Sequence, residues 1–176
     1  MPEVVVLTGA TGLIGTALAR ALVDSGWEVR GLARRPQQAA AKQPQVRWFA
    51  GDLETAVDPA VWQGAAVLVH LAWIQQANNP QQVAETNIAA AKRLFAAAHA
   101  AGVRRRVFVS SMSSHPRALS WYGRSKLQVE SLLDPTVDLV VRLAVKPGPL
   151  DGKALAGDFL ALLEKLQRPR PPREER

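Results

Sequence analysis

The chain has 176 residues, of which 48% are apolar and none is cysteine. This composition is typical of one globular domain, it excludes disulfides and thiolate metal sites, and it includes no apolar run long enough to span a membrane. The formal net charge is +7, but the basic residues are scattered and accompany no nucleic-acid-binding motif, so we predict a solvated basic surface and no nucleic-acid partner.

A glycine-rich turn follows the first predicted strand, Val4–Thr8, and opens a helix predicted over residues 13–25. Gly9 suits a backbone conformation that forbids a side chain, Gly12 lets a pyrophosphate approach the backbone, and Gly15 lets helix and strand pack closely. The free N–H groups and the positive end of the helix dipole then face the phosphates. This order of elements predicts a nucleotide-binding site. No targeting segment precedes the strand, and we expect a cytoplasmic protein.

The remaining elements alternate between strand and helix along the chain. Further strands are predicted at residues 28–33, 46–50, 67–71, 106–110 and 138–143, and helices at residues 36–42, 59–63, 81–101 and 121–133. The strand segments are continuously apolar, as expected for strands buried on both faces. We therefore predict an α/β fold with a doubly wound parallel sheet of about six strands in the order 3-2-1-4-5-6, with the ligand in the crevice at the switch point.

The end of the chain differs in composition from the rest. Residues 154–166 have the pattern of a short amphipathic helix, and residues 168–176 are rich in arginine and proline without an apolar anchor. We predict a nucleotide-binding domain over residues 1–150, followed over residues 151–176 by a short helix and a disordered tail.

The end of the second predicted strand bears on the choice of cofactor. Ala33 stands where an NAD site has an acidic residue, and Arg34 and Arg35 follow it. A guanidinium there can pair with the 2′-phosphate of NADP, so the charge favours NADP over NAD, the alternative being arginines that only solvate a loop. Asp52, after the third strand, either accepts a hydrogen bond from an adenine amino group or caps a turn.

Tyr122 and Lys126 are one helical turn apart on a helix that begins after the fifth strand. A free tyrosine has a pKa of about 10, and a nearby cation favours the phenolate, so the pair suits proton transfer. The alternative is an ordinary surface pair. Ser111 follows the fifth strand. Its hydroxyl either binds a substrate oxygen in the cleft or hydrogen-bonds the backbone of a turn. The three histidines show no metal-ligand spacing, and we predict no metal site.

Seven short motifs occur in a fixed order over residues 3–150. They are Thr8 to Gly15, Gly51-Asp52-Leu53, His70-Leu71-Ala72, Thr86-Asn87-Ile88, Val109-Ser110-Ser111, Tyr122-Gly-Arg-Ser-Lys126, and Arg142 through Pro147-Gly148-Pro149. In this order they resemble the extended short-chain dehydrogenase/reductase family, the NAD-dependent epimerase/dehydratase group. The resemblance implies a Rossmann fold and hydride transfer between a nicotinamide and a carbonyl or alcohol carbon of an unidentified small molecule.

The resemblance also implies residue roles. Tyr122 would be the acid/base, Lys126 would bind the nicotinamide ribose and tune Tyr122, Ser111 would orient the substrate, and Asn87 would support the site. A homodimer through the long helix and the Tyr122 helix is a further expectation. Together with the residues named above, the expected cofactor-binding set is Gly9, Thr11, Gly12, Leu13, Ile14, Gly15, Arg34, Arg35, Asp52, Leu53, Leu71, Ala72, Tyr122 and Lys126.

The chain departs from the family pattern in two places. Val145 stands where the family has an asparagine, and only residues 151–176 follow Leu150, so the lobe that closes over the substrate is expected to be largely absent. Three interpretations remain open: an enzyme, a cofactor-binding sensor or interaction module without turnover, and a truncated gene product. Trp73 and Trp121 flank the motifs, and either wall the substrate cleft or simply pack.

Overall fold

The computed structural model describes residues 2–75 and 78–143, together with Gly157, Phe159 and Ala161. Strands and helices alternate along these residues. In chain order they are β1 (Val4–Thr8), α1 (Leu13–Asp24), β2 (Glu28–Ala33), α2 (Pro36–Lys42), β3 (Arg47–Ala50), a 3₁₀ helix (Pro59–Trp62), β4 (Ala65–His70), α3 (Pro80–Ala100), β5 (Arg105–Ser111), α4 (Trp121–Glu130) and β6 (Leu139–Leu143).

The six strands form one parallel sheet in the order β3-β2-β1-β4-β5-β6, so the predicted fold class and strand order are confirmed. The register places Thr8 beside Leu32 of β2 and His70 of β4. Because β1 is followed along the sheet by β4, the chain reverses its direction of winding there, and a crevice opens beyond the carboxyl ends of these two strands.

The sheet is buried on both faces, which explains the continuous apolar runs. Val4 and Val6 of β1 belong to a core cluster with the apolar residues of α3 and α4, whereas Val5 and Leu7 belong to a second cluster with those of α1. Phe159 also packs in the second cluster. Successive strand residues therefore support helices on opposite faces of the sheet, with α1 on one face and α3 and α4 on the other.

Local capping explains where the helices of the site begin. Asn79 precedes α3, and its side-chain oxygen accepts hydrogen bonds from the N–H groups of Gln81 and Gln82, both at 3.1 Å. Ser120 precedes α4 and accepts from the N–H of Gly123. Proline follows Asn79 at the first helical position, where its missing N–H costs nothing.

The predicted boundaries agree with the structure to within a few residues, with two informative differences. The helix predicted at residues 59–63 is a single 3₁₀ turn. The helix predicted at residues 121–133 ends at Glu130, because the chain turns at Ser131 and Ser131 Oγ donates to the carbonyl oxygen of Gln128. No helix among the described residues is long and apolar enough to cross a membrane.

Several expectations fall on residues outside those described. They concern Val145, the helix over residues 154–166 apart from the three residues named above, and the tail. The division into domains at residue 150 stays a prediction.

Candidate functional site

The glycine turn between β1 and α1 forms a close-packed cradle. Gly9 has φ +72°, and a Cβ on it would lie 2.8 Å from the backbone nitrogen of Ala72. A Cβ on Gly15 would lie 2.8 Å from Cα of Ala10. Any side chain at these two positions would therefore push β1, α1 and the segment after β4 apart.

The start of α1 is suited to bind an anion. Gly12 is the residue before the helix; it makes no side-chain cap, and the first turn carries no acidic residue. The first N–H groups of a helix have no partner within the helix, and they stand at the positive end of its dipole. With no side chain competing for them, they fit the pyrophosphate of a dinucleotide.

A cavity of about 860 Å³ runs along the carboxyl ends of the central strands. Its volume lies within the range of about 300–1,000 Å³ found for ligand and cofactor sites. It brings together most of the predicted site residues: Gly9, Thr11, Gly12, Leu13, Ile14, Gly15, Arg34, Asp52, Leu53, Leu71, Ala72, Ser111, Tyr122 and Lys126. Among the predicted residues, Arg35 and Asn87 do not line it. The cavity thus extends from the glycine turn to the Tyr122 helix.

The two arginines that follow β2 differ in whether they line the cavity. Arg34 is exposed and lines the cavity, whereas Arg35 is the residue that precedes α2. Asp52 also lines the cavity, and its Oδ1 atom accepts hydrogen bonds from the backbone N–H groups of Glu54 at 2.6 Å and Thr55 at 3.2 Å. Asp52 therefore fixes a turn, which is one of the two roles left open by the sequence.

Lys126 and Tyr122 lie together at the opposite end of the cavity. The ammonium nitrogen of Lys126 donates to the carbonyl oxygen of Val109 at 2.8 Å and lies 3.9 Å from the ring centroid of Trp73. Burial lowers the pKa of Lys126 to about 7, and the Glu130 carboxylate opposes that effect. Tyr122 is 36% exposed and lines the cavity with Ser111.

Hydrogen bonds with β1 and α3 hold the segment that follows β4. Thr8 Oγ1 accepts from the N–H groups of Leu71 at 3.2 Å and Ala72 at 3.1 Å. Asn87 of α3 accepts from the N–H of Ile74 and donates to its carbonyl oxygen, both at 2.9 Å. Asn87 thus lies outside the large cavity but fixes a wall of it. The indole of Trp73 is part of that wall.

An ionic cluster behind Lys126 was not predicted from the sequence. Glu130 Oε1 accepts from Ser110 Oγ at 2.5 Å and from Arg142 Nε at 3.0 Å. Burial alone would raise the pKa of Glu130, but the hydrogen bonds from Arg142 and Ser110 and the Arg142 charge lower it overall. The available signal was spacing, because Tyr122, Lys126 and Glu130 follow one another at intervals of four residues and share one helix face.

A second cavity of about 80 Å³ lies beside Tyr122, between α4 and the start of α3. Both Trp73 and Trp121 line it, together with Val83 and Ala84. Trp121 is 44% exposed. The guanidinium carbon of Arg124 lies 5.7 Å from the centroid of the Trp121 ring. The two tryptophans therefore form cavity walls and do more than fill the core.

Comparisons with known proteins agree with this architecture. Residues 5–139 match the model of the NAD dependent epimerase/dehydratase family. The ceramide reductase of Caulobacter vibrioides is 37% identical over 158 residues, which are 86% of this chain and 49% of that protein. The chain spans about half the length of this relative, and 40% of a putative dihydroflavonol 4-reductase from a Synechocystis species.

Solved structures of similar proteins have the same fold. MoeE5 in complex with UDP-glucose and NAD is 30% identical with a TM-score of 0.64, and the match covers 78% of this chain and 53% of MoeE5. A mutated uronate dehydrogenase is 26% identical with a TM-score of 0.74, covering 95% of this chain and 70% of that one.

Proposed function

Because the chain belongs to the NAD-dependent epimerase/dehydratase family, we propose that it binds a nicotinamide dinucleotide and transfers hydride to or from a carbonyl or alcohol carbon. One observation carries this proposal: a single cavity joins the glycine turn at one end to Ser111, Tyr122 and Lys126 at the other. A cavity of this size accommodates a dinucleotide with its phosphates and its reactive ring at opposite ends.

Each part of the cavity has a role in holding the cofactor. The N–H groups at the start of α1 would bind the pyrophosphate, and the absence of a side chain at Gly12 would let it approach the backbone. Leu71 and Ala72 would line the path toward the reactive end. When bound, the cofactor supplies or accepts a hydride at nicotinamide C4.

The chain's own side chains would move the proton. In the direction of reduction, the Tyr122 hydroxyl would donate its proton to the carbonyl oxygen of the substrate while the carbonyl carbon receives the hydride, which would give the alcohol and leave a Tyr122 phenolate. The ammonium of Lys126 would favour the resulting phenolate by its positive charge. Ser111, beside them in the cavity, would donate a hydrogen bond to the same substrate oxygen.

The preferred cofactor is proposed to be NADP. Arg34 lines the cavity next to Ala33, so a guanidinium follows the end of β2, where an acidic residue would repel a 2′-phosphate. Arg35 precedes α2 and does not line the cavity. We therefore expect Arg35 to contribute less than Arg34 to the binding of the 2′-phosphate.

We also propose a homodimer built on α3 and α4. These two helices pack side by side on one face of the sheet, and α3 exposes small side chains at Ala89, Ala96 and Ala100 that would allow a second helix to approach closely. Light scattering coupled to size exclusion would decide between a dimer and a monomer, and a monomer at micromolar concentration would end this part of the proposal.

The direct test is binding and turnover with purified protein of confirmed mass. NADPH and NADH are titrated against tryptophan fluorescence, and a panel of aldehydes, ketones and sugar derivatives is tested for NADPH oxidation. We expect NADPH to bind more tightly than NADH and at least one carbonyl compound to be reduced. If NADPH binds and no carbonyl compound is reduced, the chain is better described as a cofactor-binding sensor or interaction module.

A further inference from the structure

The ammonium group of Lys126 is almost entirely removed from water. Only 3% of the residue is exposed, and the nitrogen faces a carbonyl oxygen of Val109 and the rings of Trp73 and Phe108, whose centroids lie 3.9 and 4.6 Å away. An ammonium has three N–H donors, and burial of a charge is costly unless partners replace its hydration. The aromatic faces are therefore a large part of what stabilises the charge.

Trp73 is the aromatic residue best placed for this role. Its ring lies closer to the nitrogen than that of Phe108, and the indole face attracts a cation more strongly than a phenyl face. Its edge-to-face contact with Tyr122 has a centroid separation of 6.2 Å. One side chain thus contacts both residues of the proposed proton-transfer pair.

The position of Trp73 is fixed on both sides by backbone hydrogen bonds. The preceding residue, Ala72, donates to Thr8 Oγ1, and the following residue, Ile74, is held through both backbone groups by Asn87. The ring also packs at a tilt on Phe108, at 5.8 Å between centroids. The hydrogen bonds fix the backbone on either side of Trp73, and turning the indole away from Lys126 would break its contact with Phe108.

We propose that Trp73 is a positioning residue whose indole face favours the ammonium form of Lys126 and holds that side chain beside Tyr122. This inference rests on the proposed function, since that function gives Lys126 and Tyr122 their roles. It predicts that the aromatic character of residue 73, and not merely its bulk, sets the charge state of the lysine.

Other ionisable groups also face Lys126. Glu130 lies one turn further along α4 and favours the charge, but it is shared with Arg142 of β6. His70 of β4 is neutral, because burial and the Lys126 charge lower its pKa to about 3. Tyr122 precedes Lys126 by one turn. These groups are chemically the same in both variants at residue 73, so a comparison between the two variants isolates the aromatic face.

The test compares Trp73→Phe with Trp73→Leu. Both replacements are apolar and smaller than tryptophan, but only phenylalanine keeps an aromatic face. The pKa of Lys126 is measured by NMR titration of protein with labelled lysine, with Lys126→Arg providing the assignment. We expect that pKa to be lower in Trp73→Leu than in Trp73→Phe by about half a unit to one unit. Equal values in the two variants would overturn the proposal.

A control variant separates this effect from a general loss of packing. Trp27 is partly buried against the core cluster on the opposite face of the sheet, so Trp27→Leu should leave the pKa of Lys126 unchanged. A shift in Trp27→Leu equal to that in Trp73→Leu would show a global effect and would contradict the assigned role. Thermal unfolding of all three variants checks that each is folded.

Turnover gives a second readout. In the direction of alcohol oxidation, the acidic limb of the kcat profile should move to higher pH in Trp73→Leu and stay close to wild type in Trp73→Phe, because a less charged Lys126 favours the Tyr122 phenolate less. A wild-type protein without turnover would count against the proposed function alone, since the lysine titration needs no activity.

Discussion

The hydroxyl oxygen of Thr8 lies 2.8 Å from Nδ1 of His70 and also accepts hydrogen bonds from the N–H groups of Leu71 and Ala72. With those two donors directed at the oxygen, the hydroxyl proton is free to point toward Nδ1. Acceptance at Nδ1 would place the imidazole proton on Nε2, an atom that is buried without a hydrogen-bond partner among the described residues. The first and fourth strands are joined at the crevice by a neutral imidazole.

This arrangement predicts a stability that falls in mild acid. The pKa of His70 is about 3 in the folded chain, because of burial and the nearby Lys126 charge, whereas a histidine in an unfolded chain has a pKa of about 6.5. Between these values protons bind preferentially to the unfolded chain. His70 should therefore reduce the free energy of unfolding by up to about 1.4 kcal/mol for each pH unit below 6.5.

The measurement is urea unfolding at several values between pH 7.5 and pH 4.5, comparing wild type with His70→Gln. Glutamine can still accept from Thr8 but does not titrate in this range. We expect the stability difference between the two proteins to shift in favour of the variant as the pH falls. Parallel curves would show that His70 does not supply the pH dependence.

Replacing Tyr122 tests the proton-transfer role. Tyr122→Phe removes the hydroxyl but keeps the ring that contacts Trp73 edge-on. With any carbonyl compound that wild type reduces, we expect kcat to fall by about 10²–10⁴-fold, the usual contribution of a positioned acid or base. The affinity for NADPH should change little, as measured by fluorescence titration. Retained turnover in the variant would contradict the role given to Tyr122.

The two arginines after β2 offer a matched pair for cofactor preference. Arg34 lines the cavity and Arg35 does not, so Arg34→Ala should weaken NADPH binding by about tenfold, the loss expected for one charge-assisted hydrogen bond. Arg35→Ala should have a much smaller effect, and neither variant should alter NADH binding. Added salt should reduce the Arg34 effect. Equal losses for NADPH and NADH would remove the basis for an NADP preference.

Substitution of Gly15 should affect stability, whereas substitution of Gly12 should affect cofactor affinity. A Cβ on Gly15 would lie 2.7 Å from the carbonyl carbon of Gly9, so Gly15→Ala should destabilise the fold by about 1–3 kcal/mol through overpacking. A Cβ on Gly12 would meet only the Gly9 carbonyl oxygen, at 3.3 Å. Gly12→Ala should therefore fold nearly normally but bind NADPH at least about tenfold more weakly, because the methyl group occupies the approach of the pyrophosphate.

Thermal unfolding and cofactor titration of both variants decide this prediction. Gly26→Ala serves as a control, since Gly26 has φ +86° but no atom within 4 Å of its added Cβ. That variant should lose stability through backbone strain alone and keep its cofactor affinity. Full NADPH affinity in Gly12→Ala would argue against a pyrophosphate at this turn.

Much of the fold could be predicted because its signals are local. The apolar runs of the strands, the glycines of the turn and the spacing of Tyr122 and Lys126 lie within a few residues of one another, and each reflects one element. The helix end at Glu130 was placed too late, because a favourable helical pattern continues to residue 133 while the chain turns at Ser131.

The class of fold, the strand order and the glycine-rich turn could be predicted from the residues alone, because backbone geometry and burial on two faces restrict these features strongly. Only the tertiary structure placed Trp73 over Lys126 and paired Glu130 with Arg142. Asn87 and Ile74 are likewise joined across a loop. Such contacts depend on how helices pack on the sheet, and residue periodicity carries no information about which side chains meet there.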